Sequence, residues 1–180
     1  MTSWQQRIRQ LTAALAAVLT AKDHQFVQEY LQVKERALFY QMNLPDQYHA
    51  LQVAYSARRL AVSHTKSRSI QLNLLIRAAL LHDVGRLKGD VTTFDKIWTV
   101  LFDCFWEKRG RKWASQTALP RDHWRRALYL HYCHGEVGAD RLQRLGCDEL
   151  LVALVRVHHQ PPRETDSLEL SLLRQADELH

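Results

Sequence analysis

The residues able to do chemistry in this chain stand where a helical core should be apolar. His82-Asp83 closes the most apolar stretch of the sequence, Ile70 to Asp83. His49 falls on the face shared by Val53, Ala57 and Leu60. His158-His159 ends a segment whose Leu151, Leu154 and Val155 lie one and two turns before His158. His134 sits in His134-Gly135-Glu136-Val137-Gly138-Ala139, among small residues that permit close helix approach, and Asp177 shares a stripe with Leu170 and Leu173. A buried carboxylate without a partner costs several kcal/mol, and an unsatisfied imidazole costs less but in the same direction. One inward histidine is ordinarily satisfied by its core. Five imidazoles and two carboxylates on inward faces of separate helices are satisfied together by a bound cation, and facing helices of a bundle are a usual place for such a site.

The spacing says more. Neighbouring residues on a helix point about 100° apart, so His82 and Asp83 cannot both aim at one ion from mid-helix. At a helix end the chain can turn, and Gly85 follows, where a C-cap glycine belongs. Asp83 has two oxygens and can serve two ions, which points to a dinuclear site.

The elements that must position these groups read as helices throughout. Expected spans are about 3–20, 24–41, 45–62, 70–83, 94–109, 121–145, 148–159 and 167–179. Asp23 is the expected N-cap of the second, with Phe26, Tyr30, Val33, Ala37 and Tyr40 along one side. Pro45-Asp46 opens the third. The stretch from Ile70 is apolar nearly all round, so its helix belongs at the centre of a bundle. Pro161-Pro162 stops the helix that ends at His158-His159. No segment alternates with period two long enough to argue a strand. The expected fold is all-α, a single-domain helical bundle. Helices over 1–44 pack on a domain of 45–180, and a helical insertion falls at about 92–123.

At 180 residues the chain is long enough to bury its own core. A net charge of +6 suits an anionic partner, but an excess this small is ordinary for solubility, so no stable nucleic-acid binding is expected. Cys104, Cys133 and Cys147 are odd in number and form no CxxC pair, which favours a reducing, cytoplasmic setting. No apolar run is long enough for a transmembrane helix. Leu11 to Ala21, after Arg7 and Arg9, imitates a signal peptide but is broken by Thr12 and Thr20; Ile8, Leu11, Leu15 and Val18 fit an amphipathic helix instead.

The order His…His-Asp…Asp, carried by His49, His82-Asp83 and Asp177, resembles the HD-domain metal-dependent phosphohydrolase superfamily. The contexts Tyr48-His49-Ala50-Leu51 and Leu80-Leu81-His82-Asp83-Val84-Gly85-Arg86 agree with it. The variety resembled is the HDIG branch, among small bacterial HD proteins. His134 with Gly138-Ala139, then His158-His159, match its additional histidines, and Gln175-Ala176-Asp177 is similar to its closing motif. The resemblance covers about residues 45–180.

It implies a divalent-metal site and hydrolysis of a phosphate ester or anhydride, of a nucleotide or related small molecule, by a metal-bound hydroxide. His49, His82, Asp83 and Asp177 would hold one metal; His134, His158 and His159 would complete a second. Mixed imidazole and carboxylate ligation suits Fe, Mn, Zn or Co. Arg86, where relatives often carry Lys, and Lys88 are candidate phosphate anchors beside Asp83. Glu136 could act as acid or base or lie on the helix surface. The resemblance leaves room for a homodimer. An HD-type diiron oxygenase shares the ligand set, and a regulatory nucleotide-binding module without turnover is the reading from another class. The signatures of the cyclic-di-GMP, diadenosine tetraphosphate, alarmone and 5′-nucleotide hydrolases of this fold are absent. Trp98, Phe102, Phe105, Trp106 and Trp113, with Lys108, Arg109, Arg111 and Lys112, read as core, lid or interaction surface.

Overall fold

A computed structural model of the chain describes residues 18–89 and 124–180. Residues 3–17 of the expected first helix, the expected helix over 94–109, and the insertion with its aromatic-basic segment lie outside the described residues. The described helices are α1 (Ala21–Tyr30), α2 (Val33–Phe39), α3 (Leu44–Ser63), α4 (Leu72–Leu81), α5 (Trp124–Arg144), α6 (Glu149–Val157) and α7 (Leu168–Glu178), with a 3₁₀ turn at Ser67–Ser69. No β-strand forms among the described residues, and the fold is all-α as expected. No helix there is long and apolar enough to cross a membrane.

Helix α4 is the axis of the bundle. It packs against α1, α2, α3, α6 and α7, while α5 packs on α6 and α7 on α3. Leu75, Ile76, Ala78, Ala79, Leu80 and Leu81 are fully buried, as an apolar surface on every side requires. Its N-terminus has no side-chain cap of its own. Glu169 of α7 supplies one, accepting the Gln71 N–H at 2.8 Å.

Three expectations are corrected. The helix over 24–41 is two helices, because the chain becomes extended at Leu31 and Gln32. Thr20, not Asp23, caps α1: Asp23 is the third helical residue, and its carboxylate accepts back from the Thr20 N–H, closing a capping box. Helix α2 restarts with the Gln32 N–H donating to Glu35 at 2.9 Å. The break rotates Val33 away from the Phe26 face, and it is 74% exposed. Residues 18–20, expected as the end of the first helix, are not helical.

Gly85 is not a left-handed C-cap. The glycines with positive φ among the described residues are Gly89 and Gly146. Gly146 ends α5 in a Schellman turn, with Gly146 N–H on Gln143 and Cys147 N–H on Leu142. Gly85 is required by contact: a Cβ there would stand 2.0 Å from the His134 carbonyl oxygen. Cys133 is half-buried. His180 lies with Nε2 2.8 Å from Ser56 Oγ of α3.

Candidate metal centre

Four elements bring the polar groups together. Helix α3 carries His49. Helix α4 ends at His82, its C-cap, and the chain turns there to place Asp83 beside it. The turn is pinned at its far side by a single β-bridge between Leu87 and Met42 and by the Lys88 N–H on the Gln41 carbonyl. Helix α5 presents His134 because its glycines let it sit close. A Cβ on Gly138 would meet Gly85 N at 3.0 Å, and one on Gly135 would meet the Val155 carbonyl of α6 at 3.0 Å. Helix α6 ends at His158, and α7 brings Asp177.

His49 Nε2 lies 3.1 Å from Asp177 Oδ1, and His82 Nε2 lies 3.6 Å from the same oxygen and 3.7 Å from Asp83 Oδ2. His134 Nε2 is 3.2 Å from the other Asp83 oxygen, Oδ1. The rings of His49, His82, His158 and His134 follow one another at 5.2–5.3 Å between centroids, and His159 stands 4.1 Å from His158. Potential ligand atoms fall into two groups that share one residue: His49, His82 and Asp83, and Asp83, His134, His158 and His159. Asp177 adjoins the first group. His82, Asp83, His134 and His158 are buried, His49 and Asp177 half-buried, and His159 exposed.

The tautomers follow from the backbone. His82 Nδ1 meets the Ala79 carbonyl at 2.8 Å, and His158 Nδ1 meets the Val155 carbonyl at 2.7 Å. A carbonyl only accepts, so each Nδ1 carries the hydrogen and, in the neutral ring, each Nε2 keeps its lone pair for the centre. His158 is held neutral: burial, then the neighbouring His82, His159 and His134, push it well below the usual imidazole range. Burial alone would raise the carboxyl of Asp83, but Arg86, His82, His134 and His49 together hold it well below the usual carboxylate range. Asp177 is also held down, its burial outweighed by the hydrogen bond from His49 and the nearby His82. For His49 the burial that lowers it is outweighed by Asp177 and Asp83, and it is raised.

These residues fit a divalent cation. Asp83 Oδ1 and His158 Nε2 are buried with no hydrogen-bond partner, a condition that costs free energy unless something else meets them. The donors are ionised carboxylates and imidazole nitrogens, the set that borderline transition metals take. The family model of the HD domain matches the chain over residues 47–180. The chain belongs to the HD-domain family. No curated protein and no solved structure matches it. HD domains form a superfamily of metal-dependent phosphohydrolases, and this one has a His/Asp cluster able to hold metal.

The two basic candidates of the HD domain separate. Arg86, half-buried, places Nη2 on Asp83 Oδ2, while its Nε is buried without a hydrogen-bond partner. Lys88 is exposed, and no contact among the described residues ties its side chain to the cluster. Glu136 is exposed on α5. Two arginines with no place in the sequence reading support the helix ends that carry the cluster. Arg141 Nη1 donates to the Val84 carbonyl at 2.7 Å, next to Asp83. Arg174 donates to the Val157 and His158 carbonyls. Sequence gave one hint, a basic residue on a helix that also carries a candidate ligand.

Proposed function

We propose that this HD domain is a phosphohydrolase of the HDIG-like kind that works with two divalent transition-metal ions on a nucleotide or related small phosphoester. His49, His82, Asp83 and Asp177 would hold one ion, and Asp83, His134, His158 and His159 the other. The observation that carries the reading is Asp83: its two oxygens face different imidazole groups, with Oδ2 nearer His82 and Oδ1 nearer His134. Bound there, two such cations supply an activated water and neutralise phosphoryl oxygens during in-line displacement.

The protein's own groups do the rest. The backbone carbonyls of Ala79 and Val155 fix the His82 and His158 rings. Asp83 and Asp177 are ionised, so they offer charge without first losing a proton. Arg86 stands beside Asp83 with a guanidinium able to reach a phosphate oxygen; Lys88, at the exposed rim, serves an extended substrate at most. The free thiols of Cys133 and Cys147 suit a reducing compartment such as the cytoplasm.

The test is elemental analysis of protein purified without chelator, followed by a phosphate-release screen over nucleotides with Mn, Fe, Co or Zn. The reading expects more than one equivalent of transition metal per chain and metal-dependent phosphate release. No metal, together with no thermal stabilisation by any of the four ions, would overturn it. Iron with oxygen-dependent turnover and no phosphate release would assign the same ligands to oxygen chemistry.

A further inference from the structure

Helix α7 reaches the centre at both of its sides. Asp177 meets His49 at 3.1 Å. Arg174 is three residues earlier and so on the same side of the helix, yet it serves the opposite group. Its Nε donates to the His158 carbonyl at 2.9 Å, its Nη2 to the Val157 carbonyl at 3.0 Å and its Nη1 to Asp166 Oδ2 at 2.6 Å. Asp166 in turn accepts the Arg163 N–H at 2.7 Å. The Arg174 and Asp166 side chains are each only 13% exposed.

The last carbonyls of α6 lack intrahelical partners, and water or a lysine would satisfy them. A planar fork held at three nitrogens does more, because it fixes the orientation of the peptides it grips. One gripped carbonyl belongs to His158 itself. The ring of His158 is fixed from a second direction by its Nδ1–H on Val155, so backbone and side chain are set separately. His159, exposed and next in sequence, depends on the same backbone.

We propose that Arg174 is a positioning residue of the metal centre: it holds the end of α6 so that His158 and His159 meet Asp83 and His134 in register with Asp177 on the other side. This rests on the two-ion reading above. Groups that orient a metal ligand are typically worth about 10–100-fold in metal affinity. The loss on removing Arg174 falls on the Asp83–His134–His158–His159 group and spares the His49–His82 group.

The experiment is Co²⁺ titration of the metal-free full chain, followed by calorimetry and by visible d–d absorption, with no turnover required. Wild type should show two binding events. Arg174→Ala should weaken one of them by about 10–100-fold and alter its absorption band, leaving the other within about threefold. Arg174→Lys should recover part of the loss, since an ammonium can meet carbonyls but not all three partners at once. Arg156→Ala, which removes an exposed pair with Asp140 from the same helix, should bind Co²⁺ as wild type does. If Arg174→Ala does not fold by circular dichroism, Asp166→Asn, which leaves the carbonyl contacts in place, should weaken the same event by roughly three- to tenfold. Wild-type affinity at both events in the folded variant, or an equal fall at both, would overturn the proposal while the two-ion reading stands. No Co²⁺ binding by wild type would remove that reading and this inference together.

Discussion

Helix α4 carries two buried polar groups, and they are satisfied in opposite ways. Near its middle, Arg77 donates from Nη2 to Glu35 Oε1 and from Nη1 to Asp148 Oδ2, both at 2.6 Å. Those bonds tie α4 to α2 and to the N-cap of α6, with Glu35 wholly buried. One turn on, His82 and Asp83 are as deeply buried; Arg86 meets Asp83 at Oδ2, but their other neighbours are imidazoles and carboxylates, and Asp83 Oδ1 has no hydrogen-bond donor. Both acids of the first cluster have a cation supplied by the chain itself. The second has one such cation, Arg86 at a single oxygen of Asp83, and gathers around it ligand atoms that only an added cation would satisfy together. Buried charge alone therefore does not mark the functional place; incomplete pairing among metal-ligating types does.

The largest effect expected from breaking this contrast is at Asp83. Asp83→Ala should abolish metal retention and lower turnover by roughly 10³-fold or more, because both ions lose their common carboxylate. Circular dichroism should show helix content preserved. Wild-type activity in this variant would remove Asp83 from the centre.

Replacing His134 and His158 together should lower bound metal by about one equivalent and slow phosphate release by roughly 10²-fold, since half of the clamp on the phosphoryl oxygens is lost. Elemental analysis and steady-state rates check it. Two equivalents still bound would return both histidines to the core.

Gly85→Ala acts through shape. With its Cβ against the His134 carbonyl, α5 must shift, at a cost of about 1–3 kcal/mol in denaturant unfolding. Metal affinity should fall by about tenfold as His134 moves, in line with the loss of an orienting contact. Unchanged stability would mean that the close approach of α5 is not needed.

Glu35→Gln should do the reverse. Breaking one arm of the buried pair should cost about 3 kcal/mol, the low end for such pairs because Arg77 keeps Asp148. Metal content and turnover of the folded protein should stay within about twofold, because no site ligand is touched. Loss of metal without loss of stability would erase the distinction between the two clusters.

Much of this was legible in the sequence, for a physical reason. Candidate ligands are recognised by type, and His or Asp on an apolar face is conspicuous wherever it falls, so His49, His82, Asp83, His134, His158, His159 and Asp177 could be singled out one by one as candidates. Burial of α4 was legible for the same reason. Arg77 was not, because the apolar residues around it hid a charge whose partners, Glu35 and Asp148, lie 42 and 71 residues away. Arg141 and Arg174 were missed because each grips backbone carbonyls, which every residue has and no sequence pattern displays. The break at Gln32 has neither Pro nor Gly to announce it; its cue was Glu35 three residues on. Gly85 was noticed for the wrong cause, since a glycine demanded by a distant carbonyl looks the same in sequence as one demanded by φ.

The central claim is that one carboxylate serves two ions. Anomalous diffraction from a crystal soaked in Mn²⁺ tests it most directly. The account predicts two peaks about 3.5–4 Å apart, one among His49, His82 and Asp177, the other among His134, His158 and His159, with Asp83 reaching both. A single peak, with His134 and His158 turned away from it, would contradict it.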